Sequence, residues 1–206
     1  GESKKAADTV QQAYAMVQTI KDRTLKVENS IKLADACRQA GNAAQAKQLL
    51  MYAYGEARFI NDPFYRSAGI AEVVDRLSVS KEFDRATDMV KEIQEPFARV
   101  IAQMKIAREY AAAGNTEGSA HLLYAALSDT KNMRDQNARD SLLADVTERL
   151  AEIGKWQEAF DTAAGIQGKP SRALDVARLG TACAKAGHDP QEKELAVLRR
   201  MMRETQ

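Results

Sequence analysis

Histidine, cysteine and clustered carboxylates are the side chains with which proteins bind metals, attack substrates or move protons, and this chain is short of the first two. Its only histidines, His121 and His188, lie far apart, with no cluster of other ligands at metal-site spacing beside either. Two cysteines, Cys37 and Cys183, are too few for a disulfide framework. They fall in a column of apolar positions, which points to packing rather than redox chemistry. No Ser/His/Asp set, glycine-rich phosphate loop or zinc motif is present. What remains is scattered carboxylates, so the expectation is a protein that is not an enzyme and takes no metal and no cofactor.

The charge balance narrows the partners. Thirty Lys and Arg stand against 29 Asp and Glu, a formal charge of +1. Nucleic-acid binders draw most of their affinity from neutralising phosphates and usually carry a basic excess, so nucleic acid is not the expected partner. No apolar run approaches the ~18 residues that span a bilayer, and nothing at the start reads as a signal peptide. The chain begins at Gly1, as a trimmed chain does; a cytoplasmic protein is the default expectation, with a removed targeting segment as the open alternative. At 206 residues, 45% hydrophobic and only 6% aromatic, the composition favours a folded, helical protein. Oligomeric state is left open.

The elements that position these residues announce themselves as an internal repeat. A small or apolar residue followed by glycine recurs at Ala40-Gly41, Ala113-Gly114, Ile153-Gly154 and Ala186-Gly187, each after an amphipathic stretch. That is how a helix with a glycine C-cap ends. A fifth turn is hidden at Ser80-Lys81, so the turns at 41, 81, 114, 154 and 187 lie 40, 33, 40 and 33 residues apart. Two alternating repeats make a 73-residue unit, in which Asp62 and Arg66 return as Asp135 and Arg139. Eight residues before the turns stand Leu33, Val73, Ile106, Val146 and Leu179; four before stand Cys37, Leu77, Tyr110, Leu150 and Cys183. Positions four apart share a helix face, so these columns are the expected core. Seven before the turns, Ala34, Val74, Ala107, Thr147 and Gly180 are expected where helices approach closely. The pattern predicts helices near 4–20, 26–40, 43–58, 65–79, 83–94, 98–113, 116–130, 137–153, 156–166, 172–186 and 190–203.

The pair Leu179-Gly180, the segment Gly154-Lys155-Trp156-Gln157-Glu158-Ala159 and Pro170 resemble the tetratricopeptide repeat, a 34-residue helical hairpin. Lys81 to Ala86 with Pro96 fits nearly as well. The resemblance covers essentially the whole chain, although two repeats run to 40 residues and Cys183 stands where the family has an aromatic. It implies an all-α fold: a right-handed superhelical α-solenoid of five hairpins with an extra N-terminal helix, forming a single repeat domain over residues 1–206. It also implies a concave groove, lined by the pre-turn helices, for a protein or peptide partner, and no enzyme activity.

In that geometry two charged columns face the groove. Nine residues before the turns come Lys32, Glu72, Lys105, Asp145 and Arg178; six before come Asp35, Asp75, Arg108, Glu148 and Thr181. The signs alternate from repeat to repeat, which suits either a ligand-reading pattern or a self-neutralising ladder between helices about 8–10 Å apart. In the ladder, Lys32, Lys105 or Arg108 pairs with Glu72, Asp75, Asp145 or Glu148. Met104, Ile31 and Ile101 are expected beside these rungs. The 40-residue repeats carry about seven extra residues after their second helix, and in the first this region holds Tyr52, Tyr54, Phe59, Phe64 and Tyr65. Phe59, Phe64 and Tyr65 therefore make a candidate edge patch. A protein- or peptide-binding scaffold leads. A single-stranded RNA-binding repeat protein and a regulatory domain of a larger enzyme stay open beside it.

Overall fold

The computed structural model describes residues 2–205, with side chains from Thr9 to Glu204. The described residues form eleven α-helices and no strand: α1 Glu2–Thr19, α2 Arg23–Gln39, α3 Ala43–Ala57, α4 Pro63–Val79, α5 Phe83–Met89, α6 Pro96–Ala112, α7 Thr116–Thr130, α8 Gln136–Glu152, α9 Trp156–Ala163, α10 Lys169–Ala186 and α11 Glu192–Thr205. After α1 they pair as five hairpins, each a pre-turn helix, a tight turn and a post-turn helix.

All five turns share one geometry. Gly41, Lys81, Gly114, Gly154 and Gly187 have φ of 78°, 61°, 80°, 77° and 64°. The next residue donates its amide back to the fourth residue before the turn position, as from Asn42 to Cys37 O at 2.8 Å and from Glu82 to Leu77 O at 2.9 Å. Asn115, Lys155 and His188 do the same to Tyr110, Leu150 and Cys183. This is the Schellman closure of a helix end. Its acceptors are the residues of one core column, so the position that packs also ties off the turn. The strain expected of a non-glycine turn residue falls on Lys81, the one non-glycine residue with positive φ among those described.

The helix starts are capped by side chains. Asp22, Asp62 and Asp135 accept amides at the first turns of α2, α4 and α8, and Asn42 and Asn115 do so for α3 and α7.

The chain divides into two compact units, Gly1–Ala102 and Gln103–Gln206. In the first, α2 packs against α1, α3 and α4, and α4 against α5. Ile31, Ala34, Cys37, Leu50, Val73, Val74 and Leu77 are buried there. In the second, α8 packs against α7, α9 and α10, and α11 covers α10 and α9. Its core holds Leu123, Val146, Leu150, Phe160, Ile166, Leu179 and Met201.

Four expectations need correction. The extra residues of the long repeats lie within the post-turn helix rather than after it: α3 and α7 have 15 residues each, against seven in α5 and eight in α9. Helix α5 stops at Met89 and passes through a 3-10 turn, Val90–Glu92, because Ile93 turns extended into the core ahead of Pro96. Ile31 and Met104, expected beside the groove, are core residues at 1% and 8% exposure. Gly180 marks no close approach: it is exposed, and a Cβ there would meet nothing within 4 Å.

A further regularity lies in the loops between hairpins. The loop residues Ile60, Ile93 and Ile166 are buried, and an arginine six residues on binds each carbonyl. Arg66 Nη1 reaches Ile60 O at 3.3 Å, Arg99 Nη1 reaches Ile93 O at 2.9 Å, and Arg172 Nε reaches Ile166 O at 2.9 Å. Each loop is thus tied to the helix that follows it.

Candidate functional site

In the second unit, the pre-turn helices α8 and α10 border an open-sided cavity of about 520 Å³. Its walls include Glu148 and Glu152 of α8, Arg178 and Lys185 of α10, and Trp156 at the start of α9. Thr147 and Asp175 complete the lining, and both are fully buried, at 1% and 0% exposure.

Asp175 is anomalous in its own fold. It stands twelve residues before its turn, where the other repeats carry Asn29, Gly69, Ala102 and Leu142, the last three buried. Neither carboxylate oxygen accepts a hydrogen bond from any described residue, and Thr147 Oγ1 is likewise without a partner. Burial pushes the Asp175 carboxyl up to about 7; Arg178 opposes the shift, while Glu148 and Asp145 add to it. An unsatisfied buried acceptor costs about 1–3 kcal/mol.

Asp140, the other buried aspartate of this unit, shows the contrast. It accepts from Gln136 Nε2, from Gln167 N at 3.2 Å and from Gly168 N at 2.7 Å. It thereby caps α10, whose own cap residue Gly168 has no side chain to do so. A Cβ at 168 would sit 3.0 Å from Asp140 Oδ2, so the glycine makes room for the cap.

Trp156 is held in place from behind. Its indole stacks on His188 with centroids 4.2 Å apart and planes 5° apart. His188 Nε2 lies 2.9 Å from Glu194 Oε2, which also accepts the Gln191 amide at 2.7 Å. A second cavity, also about 520 Å³, opens between the post-turn helices α7 and α9, but there Tyr124 already donates to Glu158 at 3.0 Å.

The charged columns divide as follows. In the first unit, Arg76 gathers three acids: its Nε bonds Asp35 at 2.9 Å, Nη1 bonds Asp75 at 2.8 Å, and Nη2 lies 3.7 Å from Glu72. The Asp35–Arg76 pair crosses from α2 to α4. In the second unit, Asp145 of α8 lies 3.7 Å from Arg178 of α10. Lys32 pairs with Glu28 of its own helix at 2.5 Å, and Arg108 with the adjacent Glu109 at 2.8 Å. Neither makes the cross-helix rung expected of it, because an acid on its own helix is nearer. Lys105 is half-buried on α6, and Glu148 is exposed on the cavity wall.

Of the five aromatics in the first long repeat, Tyr52 packs edge-on against Tyr14 and Tyr54 donates to Glu92. Phe59, Phe64 and Tyr65 are 68%, 65% and 52% exposed. Phe64 meets Tyr65 edge-to-face, and the Arg23 guanidinium lies 5.4 Å from the centroid of Phe59. Cys37 and Cys183 are buried free thiols whose pKa values burial raises. His121 is exposed. Among the described residues no group of three or more His, Cys, Asp or Glu is placed to hold a metal ion, and no helix is long and apolar enough to cross a membrane.

No family model and no curated protein sequence matches the chain. Solved structures do. The crystal structure of BtubC (BKLC) from P. vanneervenii aligns over 95% of this chain and 88% of its own, with TM-score 0.51 and 14% identity. A putative kinesin light chain from Podosopora anserina, with nearly identical TPR-like repeats, aligns over 91% of this chain and 99% of its own, with TM-score 0.49 and 17% identity. The fold is a tetratricopeptide-like helical repeat.

Proposed function

We propose that residues 1–206 act as one tetratricopeptide-like repeat domain that binds a protein or peptide partner along the face formed by its pre-turn helices, and that the chain is a scaffold rather than an enzyme. The observation that carries this reading is the cavity between α8 and α10. It lies on the face where the groove columns run, and its buried polar groups lack partners within the protein. In the cavity on the post-turn face Tyr124 is already paired with Glu158 and Asp161 with Gln157. An extended or helical peptide suits a surface of charged rungs beside small residues. Acids on the pre-turn helices of each unit, Asp35, Glu72 and Asp75 in the first and Asp145 and Glu148 in the second, disfavour a phosphate backbone. Phe59, Phe64 and Tyr65, beside Arg23, form a secondary contact at the edge of the first unit.

Peptides selected from a displayed library against the chain test this. Glu72→Lys, Arg108→Glu and Glu148→Lys are then introduced singly. At least one is expected to weaken the selected peptides tenfold or more while melting stays unchanged. Equal binding by all three variants, with a loss instead for Glu117→Lys on α7, would place the partner on the other face and overturn the proposal.

A further inference from the structure

The orphaned acceptors in the α8–α10 cavity specify the chemistry of what enters it. Three oxygens lack hydrogen bonds: Asp175 Oδ1 and Oδ2, which are both acceptors once the carboxyl is ionised, and Thr147 Oγ1, a hydroxyl that can accept or donate. The missing group is therefore a donor, and a donor that meets both oxygens of one carboxylate at once is a planar fork. Among side chains only arginine offers parallel N–H groups with that spacing, and its remaining N–H groups would be left to meet Thr147.

The charges around the cavity agree. Arg178 is turned to Asp145 at 3.7 Å, and Glu152 is held by Arg149 at 2.8 Å. The charged lining is Asp175, Glu148 and Glu152 against Arg178 and Lys185, an excess of one acid once Asp175 ionises. The indole of Trp156 lines the same cavity, clamped from one side by His188. Indole is the ring that attracts cations most strongly, and guanidinium stacks on it. At about 520 Å³ the cavity admits a long side chain, and because Asp175 and Thr147 have almost no exposed surface, a guanidinium reaches their oxygens only as neighbouring side chains of the lining shift.

Within the repeat, too, the site stands out. The column that holds Asp175 is otherwise Asn29, Gly69, Ala102 and Leu142, so this is the one hairpin that carries a charge there. Departures from a fold's own rules concentrate where function requires them.

We propose that this cavity receives the guanidinium of an arginine side chain from a bound peptide, with Asp175 accepting its two-pronged hydrogen bonds, Thr147 a further N–H, and Trp156 the flat face of the cation. The inference rests on the pre-turn face being the binding face and names what one part of it reads. Binding in this form is linked to the loss of a proton. The Asp175 carboxyl, at about 7 when the cavity is empty, must ionise to hold a cation. The charged groups facing it are Arg178 and Lys185 from α10 and Glu148, Asp145 and Glu152 from α8.

Trp156 is the single tryptophan of the chain, so its fluorescence reports on the cavity directly. The probe is N-acetyl-arginine methylamide, and its citrulline counterpart keeps the length while replacing the cation by a neutral urea. The arginine compound is expected to give a saturable change, the citrulline compound one at least about tenfold weaker. Affinity should rise about tenfold per pH unit up to about 7 and level off above. Asp175→Asn should abolish the difference between the two compounds, and its melting curve confirms that it folds. Equal binding of arginine and citrulline by the native chain, which needs no variant, or unchanged arginine binding by Asp175→Asn at pH 8, would overturn the inference. If the arginine compound fails while library-selected peptides still depend on Glu72, Arg108 or Glu148, the inference falls and the scaffold reading stands. If the arginine compound binds through Asp175 but no peptide depends on that face, the scaffold reading falls and the pocket stands.

Discussion

Asp175 and Lys81 each break the rule of their own column, and each break has a measurable cost. Asp175 carries a proton in the folded chain over a range where the unfolded carboxyl, near 3.8, has lost it. Its folded pKa is raised, so the stability it contributes is present below about 4 and lost as pH climbs through about 7. Asp175→Leu, which copies Leu142 of the preceding repeat, is expected to be nearly neutral at pH 4 and to stabilise by about 1–3 kcal/mol at pH 8. Urea melts at the two pH values decide it; a gain that shrinks as pH rises would mean the carboxylate is already satisfied. Lys81 holds φ of 61° where its four counterparts are glycine. Relief of a strain of roughly 1–2 kcal/mol is offset in part by the freer unfolded chain, so Lys81→Gly should stabilise by about 0.5 kcal/mol. A lower urea midpoint would show that the turn carries no such strain. Nothing in the structure explains why a lysine stands there.

Between elements, ion pairs join neighbouring helices, as Arg23 joins α2 to Glu56 of α3 and Arg172 joins α10 to Glu204 of α11. Arg76 joins α2 to α4 while neutralising Asp35, Asp75 and Glu72, and its own pKa is raised, first by the hydrogen bond to Asp35. Arg149 is its counterpart one 73-residue unit on, and pairs with Glu152 of its own helix. Exposed pairs within a helix contribute little, whereas removing the centre of a half-buried network leaves acids facing one another. Arg76→Ala should therefore cost about 1–2 kcal/mol and Arg149→Ala less than about 0.5 kcal/mol. Equal losses in thermal melts would show that the link from α2 to α4 contributes nothing of its own. The helices themselves were legible because turn chemistry and apolar period agree; apart from α5, which ends at Met89 rather than near 94, each predicted span falls within about three residues of its helix. The source of the 40/33 alternation was not, since Ile93 and Ile166 read equally well as continued helix until their burial is known. The carbonyl-binding arginines Arg66, Arg99 and Arg172, with Arg139 at the equivalent position of α8, recur at 33, 40 and 33 residues, a spacing visible in the sequence. Arg66 and Arg139 stand out in the sequence as a pair one 73-residue unit apart, but a basic residue at a helix start gives no sign that it binds a loop carbonyl.

At the scale of the molecule, the same turn, the same caps and the same buried columns recur in both compact units, and that recurrence made the fold readable without a relative in sequence. The candidate site was readable only in outline. The charged columns led to Glu148 and Arg178 on the cavity wall, but not to the space between them, which depends on how α8 and α10 pack. Asp175 escaped because an acid in a single repeat looks like a surface residue, and only its column betrays it. Ile31 and Met104 were misassigned because a shift of one residue turns a helix face by about 100°. The central claim is that the pre-turn face is the face that binds. Benzoylphenylalanine placed in turn at Glu72, Thr181 and Glu117, irradiated with a library-selected peptide and read by mass spectrometry, asks this directly. Glu72 and Thr181 are exposed on the pre-turn helices α4 and α10, and the Glu117 side chain is 83% exposed on the post-turn helix α7. The account predicts adducts from position 72, position 181 or both and none from 117; adducts from 117 alone would contradict it.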